Sequence, residues 1–164
     1  MDFIKANLSD LILFAHPTFG VIATMSAVWV LVEALNLRGA SLLRLRLAAW
    51  VTAICLVFAW VLGGFWYVSY YAADKAVILK GPWPWAHDLF METKEHLFFI
   101  PAFLGFYLVI VAARRLDIDT AARRMAIALA ALIIVNGLAI EGAGAIVNHG
   151  AKIAVLRANT KAAE

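Results

Sequence analysis

Four long apolar runs restrict the folds open to this chain more than any other feature of its sequence. They cover residues 10–35, 47–73, 96–113 and 125–150. Each run is long enough to cross a bilayer, which takes roughly 17–25 residues as a helix. Peptide groups find no hydrogen-bond partner in lipid, so a segment placed there must satisfy its own backbone as a helix. The sequence therefore predicts an all-α integral membrane protein, a four-helix bundle in which residues 1–164 form a single domain.

The composition excludes a soluble domain and several classes of function. Of the 164 residues, 65% are hydrophobic and 15% are charged, whereas a soluble domain is about half apolar and about a quarter charged. The single cysteine, Cys55, lies inside an apolar run, so there is no disulfide framework, and no CxxCH motif offers covalent haem attachment. Nucleotide-binding glycine loops and GxSxG are also absent. The basic residues flank the apolar runs, so we expect no nucleic-acid partner.

Arginines predict how the helices are oriented. The two connections that join the first pair and the last pair of runs carry Arg38, Arg44 and Arg46, and Arg114, Arg115, Arg123 and Arg124. Short loops rich in arginine lie on the cytoplasmic side. We therefore expect a multi-pass protein of the bacterial inner membrane, with both termini and the outer loop 74–95 on the periplasmic side. Within that loop a GPWPW turn should break the chain, and residues 86–95 predict a short interfacial helix between helices 2 and 3.

All four histidines fall at the predicted outer edge. His16 lies about two turns into the first helix, His87 lies in the outer loop, His96 begins the third run and His149 ends the fourth. Histidine inside a bilayer is uncommon and usually marks a site, and its neutral imidazole is the commonest metal ligand. The alternative is an interfacial imidazole bonded to a headgroup or a carbonyl group. That alternative is favoured for His87, which we expect to be exposed in the loop.

Small residues follow two of these histidines along their helices. At about 100° per residue, His16 shares a stripe with Gly20, and His149 shares one with Gly142. Small residues allow helices to approach closely in membranes. They also make room for a flat macrocycle whose iron is held by an imidazole. We therefore consider a b-type haem bound by His16 and His149, with His96 as a substitute or as the ligand of a second haem.

A carboxylate cluster next to the third run suggests a metal ion instead. On an α-helix one narrow arc would hold Asp88, Glu92, Glu95 and His96, with His87 on the opposite side. Glu92 and His96 lie one turn apart and could bind a divalent cation. The alternative is a solvated acidic face that meets headgroups or a basic partner. The metal hypothesis uses zinc, iron or copper, with ligands drawn from His16, His96, His149, Glu92 and His87.

Glu141 lies within the fourth apolar run, more than two turns from its end. An ionisable group at that depth is rare and normally has a partner. Three roles stay open: a proton carrier, a catalytic base at a quinol site, or a hydrogen-bond link to another helix.

Four helices with edge histidines on several of them resemble small b-type membrane cytochromes, in which bis-histidine haem passes electrons between quinol and a partner. The resemblance implies haem b and electron transfer, with lipid, a quinone and a redox protein at the outer face as partners. The chain departs from those proteins in having all its candidate ligands near one face. Two alternatives stay open: a His/Glu metal-dependent membrane enzyme or metal-handling protein, and a non-catalytic subunit of a larger complex or homo-oligomer. Whether the chain is an enzyme also stays open.

Overall fold

The computed structural model describes the backbone of residues 2–37 and 41–163 and the side chains of residues 7–37 and 42–160. Its helices are α1 (Asp2–Leu35), α2 (Ser41–Lys80), α3 (Glu92–Leu97), α4 (Phe99–Ala112) and α5 (Thr120–Ala163), and a π-helical turn at Ala86–Met91 leads into α3. The described ranges contain no strand. Four of their helical segments are long and apolar enough to cross a membrane. The prediction of an all-helical chain with four apolar helices is confirmed, while Arg38, used for the orientation, lies outside the described residues.

Two helices continue past the apolar runs that predicted them. The second run was expected to end at residue 73, but α2 ends at Lys80, and α5 continues to Ala163. Hydropathy marks only the part of a helix that suits lipid, and the helix itself continues until a breaker intervenes. For α2 the breaker is a Gly-Pro pair directly after Lys80. Most of the expected outer loop 74–95 is therefore helical, and residues 81–85 make the connection.

The helices pack in a ring in the order α1, α2, α4, α5, and α5 closes the ring against α1. At the end where α1 connects to α2, eight of the 17 buried core residues are alanines: Ala23, Ala27, Ala34, Ala48, Ala49, Ala112, Ala126 and Ala130. Small side chains let helix backbones approach closely, which favours van der Waals contact between helices. The small residues that follow His16 on α1 therefore lie in a helix interface.

Two arginines close helix ends at this side of the bundle. Arg46 of α2 donates to the carbonyl oxygen of Ala112 at 3.0 Å, and Arg123 of α5 donates to that of Ala34 at 2.7 Å. Each arginine donates a further bond to the next carbonyl group along. The last carbonyl groups of a helix lack intrahelical partners, and a cation there is also favoured by the helix dipole. The two side chains thus tie α2 to α4 and α5 to α1.

At the opposite end, the segment from residue 81 to Leu97 folds over α2 and α5. Its π-helical turn is defined by the backbone N–H of Glu92, which donates to the carbonyl of His87, five residues earlier. Around this turn a small second core forms from Tyr71, Ile78, Ala86, Met91 and Val147. A short helical segment therefore does lie between α2 and α4, and its position at a membrane interface stays a prediction.

Candidate ligand cavity

A cavity of about 440 Å³ lies between the helices at this second end. Its apolar and aromatic lining includes Leu13, Trp60, Trp66, Tyr67, Tyr71 and Phe98. Its polar lining is made by His16, Asp74, Lys94, Glu95, Glu141 and Asn148. The volume falls within the range of roughly 300–1,000 Å³ that small-molecule sites occupy, and a mostly apolar wall with a few polar groups is typical of such sites.

His16 reaches the cavity from α1, and its ring is held in one orientation. Nδ1–H donates to the carbonyl oxygen of Ala59 on α2 at 2.7 Å. The ring lies so close to Gly63 that a Cβ atom there would be 2.6 Å from it. Because Nδ1 carries the proton, Nε2 is the acceptor, and Nζ of Lys94 lies 3.3 Å from it. The lone pair of His16 therefore faces the ammonium group of Lys94.

Lys94 connects this imidazole to two carboxylates. Its ammonium group is attracted by Glu141 of α5 and by its neighbour Glu95. The carboxylate of Glu141 reaches across to α1, where it occupies the space that a side chain at Gly20 would need. Glu141 therefore lies in the electrostatic field of Lys94, which comes from the short helix α3, although no ion pair within 4 Å joins the two side chains. The site brings together His16, Glu141 and Gly20 among the residues expected from the sequence.

Glu95 adds a carboxylate oxygen that is not fully bonded. Its Oε1 is buried and accepts no hydrogen bond from the described residues, while the hydroxyl group of Tyr67 interacts with the same carboxylate. Leaving a buried acceptor without a donor costs about 1–3 kcal/mol. A donor group on a bound molecule would remove that cost.

His87 lies elsewhere, in the second core. The residue is only 2% exposed, and its Nδ1 is hydrogen-bonded to the Tyr71 hydroxyl at 3.0 Å. Its Nε2 lies 3.6 Å from Oε1 of Glu92. The expectation that His87 is exposed in a loop is wrong, because the π-helical turn folds the ring against α2.

The other two histidines contact groups outside the cavity wall. His96 is exposed, and its Nδ1–H donates to the backbone carbonyl of Glu92 at 2.6 Å. His149 is exposed and lies against Trp83, with 5.0 Å between ring centroids. Gly142 is exposed, and a Cβ atom there would meet nothing within 4 Å. The structure therefore does not bring His149, His96 or Gly142 to His16.

The acidic arc expected before the third span is divided between three environments. Glu92 approaches His87, Glu95 lines the cavity, and Asp88 and His96 are exposed. Across the described side chains, no group of three or more His, Cys, Asp or Glu residues is placed to hold a metal ion. Within the metal set the side chains of His87 and Glu92 approach each other, but this pair lies apart from His16, and both the haem and the metal ligand sets stay predictions.

Sequence reasoning overlooked Lys94, Tyr67 and Tyr71 as parts of a site. One signal was available for Lys94, because an ionisable side chain next to a span commonly faces another one, here Glu141.

The chain matches no protein-family model, no curated protein and no solved structure. Its chemistry must therefore be inferred from the cavity and the side chains that line it.

Proposed function

We propose that this chain is a multi-pass protein of the bacterial inner membrane that binds a quinol or quinone in the cavity and exchanges protons with its head group. The observation that carries the proposal is the meeting of an imidazole lone pair, an ammonium group and a carboxylate, from His16, Lys94 and Glu141, in one mostly apolar cavity. Proton exchange and electron transfer with a redox partner would make it a component of electron transport.

Placement in a bilayer is supported by the outer surface of the bundle. Large apolar side chains on different helices are highly exposed, including Phe14 (74%), Leu43 (75%), Val68 (81%) and Phe103 (71%). Contiguous apolar surface of this kind is rare on soluble monomers and normally marks a membrane or a partner. The arginines at one end favour a cytoplasmic position for that end, and so a periplasmic position for the cavity.

The polar lining suits a quinone head group. An ammonium group such as that of Lys94 can donate to a quinone carbonyl, and Nε2 of His16 can accept from a quinol hydroxyl. Aromatic residues such as Trp66 and Tyr67 can lie against the ring of the head group, since aromatic pairs stack favourably. Oxidation of a quinol releases two protons, and His16 and Glu141 in the cavity lining are able to accept them.

A b-type haem held through His16 is the second candidate. Its supporting observation is the Nδ1–H bond to Ala59, since metal-ligating histidines commonly donate their other ring N–H to a carbonyl or carboxylate. Haem ligation would use the same Nε2 that faces Lys94, so the ammonium group would have to move away. His16 therefore serves either a haem iron or a quinol hydroxyl, and the two proposals can be separated.

The purified protein in lipid nanodiscs distinguishes these proposals. If the chain binds quinol, an organic extract of the protein should contain quinone, and decylubiquinone should bind saturably. Lys94→Ala should weaken the affinity for decylubiquinone roughly tenfold, because a charged hydrogen-bond donor is lost. The matched control is Lys152→Ala, which removes an exposed lysine of α5 and should leave binding unchanged. A Soret band with low-spin bis-histidine features would instead support haem. Stoichiometric metal without porphyrin would support the metal enzyme, and a colourless protein that binds no quinone would contradict both main proposals.

A further inference from the structure

A chain of titratable side chains begins at the cavity and ends at the surface. Tyr71 lines the cavity and is 3% exposed. Its hydroxyl is hydrogen-bonded to Nδ1 of His87 at 3.0 Å, and Nε2 of His87 lies 3.6 Å from Oε1 of Glu92. The side chain of His87 is 3% accessible, whereas that of Glu92 is 47% accessible. The three groups thus span the second core from the cavity wall to solvent.

The π-helical turn produces this alignment. In an α-helix, residues five apart are separated by about 140° around the axis, so His87 and Glu92 would point apart. Here the Glu92 N–H donates to the His87 carbonyl, and the two side chains approach each other instead. Single π-helical turns inside α-helices occur frequently at functional sites.

The hydrogen-bond directions also suit proton transfer. The Glu92 carboxylate can only accept, so the tautomer with the proton on Nε2 suits both neighbours of His87, with the Tyr71 hydroxyl donating to Nδ1. A purely structural imidazole would be satisfied by the same two neighbours. Only a measurement of proton movement distinguishes the two roles.

We propose that Tyr71, His87 and Glu92 form a proton-transfer route between the cavity and the outer aqueous phase. This inference rests on the proposed function, in which a hydroxyl group of the bound quinol is the proton source. That hydroxyl passes a proton to the Tyr71 oxygen as the Tyr71 proton moves to Nδ1 of His87. The Nε2 proton of His87 moves to Glu92, which releases it to water. Only O–H and N–H bonds form and break, and before the next transfer the imidazole ring must reorient so that its N–H again faces Glu92 and its lone pair faces Tyr71.

A coloured acid in the cavity tests the route. The probe is 2-hydroxy-1,4-naphthoquinone, whose hydroxyl group ionises and whose anion absorbs visible light. After a pH jump in a stopped-flow instrument, protonation of the bound probe should be roughly 100-fold slower in His87→Phe and Glu92→Gln, as expected when an acid–base group is lost. The control is Asp88→Asn, an exposed acid next to His87, which should leave the rate unchanged. Equal rates in all variants, with equal probe affinity, would overturn the route while leaving the proposed function intact.

A second measurement needs no ligand and uses a surface substitution that should not affect folding. In protein labelled with 15N-histidine, exchange of the His87 ring proton with water is followed by NMR. Glu92→Gln should slow this exchange roughly tenfold or more, because the carboxylate is the acceptor, while Asp88→Asn should not. An exchange rate that is unchanged in Glu92→Gln would overturn the route, whether or not the probe binds. A failure of the probe to bind, with slowed exchange in Glu92→Gln, would count against the proposed function and leave the route intact.

Discussion

At the scale of single residues, the cavity depends on how closely α1 approaches α2. The imidazole of His16 lies against the backbone of Gly63, and its Nδ1–H bonds to Ala59 one turn earlier. A side chain at Gly63 could not coexist with the ring in this position. The adjacent Gly64 has open space around it, so the two glycines of α2 have different roles.

Gly63→Ala should therefore disturb the site, and Gly64→Ala should not. The added Cβ at Gly63 would lie 2.6 Å from the His16 ring, and we expect a loss of about 1–3 kcal/mol in the free energy of unfolding from overpacking. Gly64→Ala should leave stability unchanged or raise it by roughly 0.5–1 kcal/mol, because alanine favours helix. Thermal unfolding in nanodiscs measures both. Equal destabilisation by the two substitutions would contradict the described packing of His16.

The position of Lys94 and Glu141 in one cavity makes a second prediction. Removing either side chain leaves the other charge without a countercharge in a mostly apolar cavity. The losses of stability in Lys94→Met and Glu141→Gln should therefore add up to more than the loss in the double variant. We expect a coupling of about 0.5–3 kcal/mol, the range for residues in one polar network. The control cycle uses the exposed pair Arg115 and Asp117, whose charged groups lie 2.8 Å apart and whose coupling should be weaker because solvent screens the pair. Additive effects at Lys94 and Glu141 would show that the two do not interact.

At the scale of elements, helix ends and a local change of helix type shape the bundle. At the end where α1 connects to α2, arginines donate hydrogen bonds to the carbonyl groups of neighbouring helices. The cavity end relies on the turn Ala86–Met91, which redirects His87 and Glu92. Neither feature adds a helix, yet each decides which side chains meet.

Arg46→Met should destabilise the bundle through the end of α4. The carbonyl groups of Ala112 and Ala113 would lose their side-chain donor, and we expect a loss of about 1–3 kcal/mol. Arg124→Met, at an exposed arginine of α5, should change stability by about 0.5 kcal/mol or less. Denaturant unfolding in mixed micelles provides the comparison, and similar effects of both variants would mean that the Arg46 bonds contribute little.

At the scale of the whole molecule, one end of the bundle is basic and the other holds the cavity. The positive-inside rule predicts that the basic end lies in the cytoplasm, so we expect the cavity to open toward the periplasmic side. The proposed proton exchange would then take place on that side.

Cysteine labelling tests the orientation directly. In a Cys55→Ala background, Asp88→Cys should react with a membrane-impermeant maleimide in intact spheroplasts, because Asp88 is exposed at the cavity end. Arg124→Cys, exposed at the basic end, should react only after the membrane is permeabilised. The reverse pattern would place the cavity in the cytoplasm, and labelling of both sites in intact cells would argue against a membrane-spanning arrangement.

Hydropathy and residue type alone determined the number of apolar helices, their approximate places and the gathering of histidines toward one end. They could do so because peptide groups in lipid have no alternative to helix. They also marked Glu141 as a residue in need of a partner.

Tertiary structure alone decided which of these residues meet. Lys94 reaches His16 and lines the same cavity as Glu141 because α3 packs against α5. His87 meets Glu92 because a π-helical turn breaks the regular 3.6-residue period on which any helical projection depends. Such contacts arise from packing between segments distant in the chain and from a local shift of backbone hydrogen bonds, and neither leaves a periodic mark in the sequence.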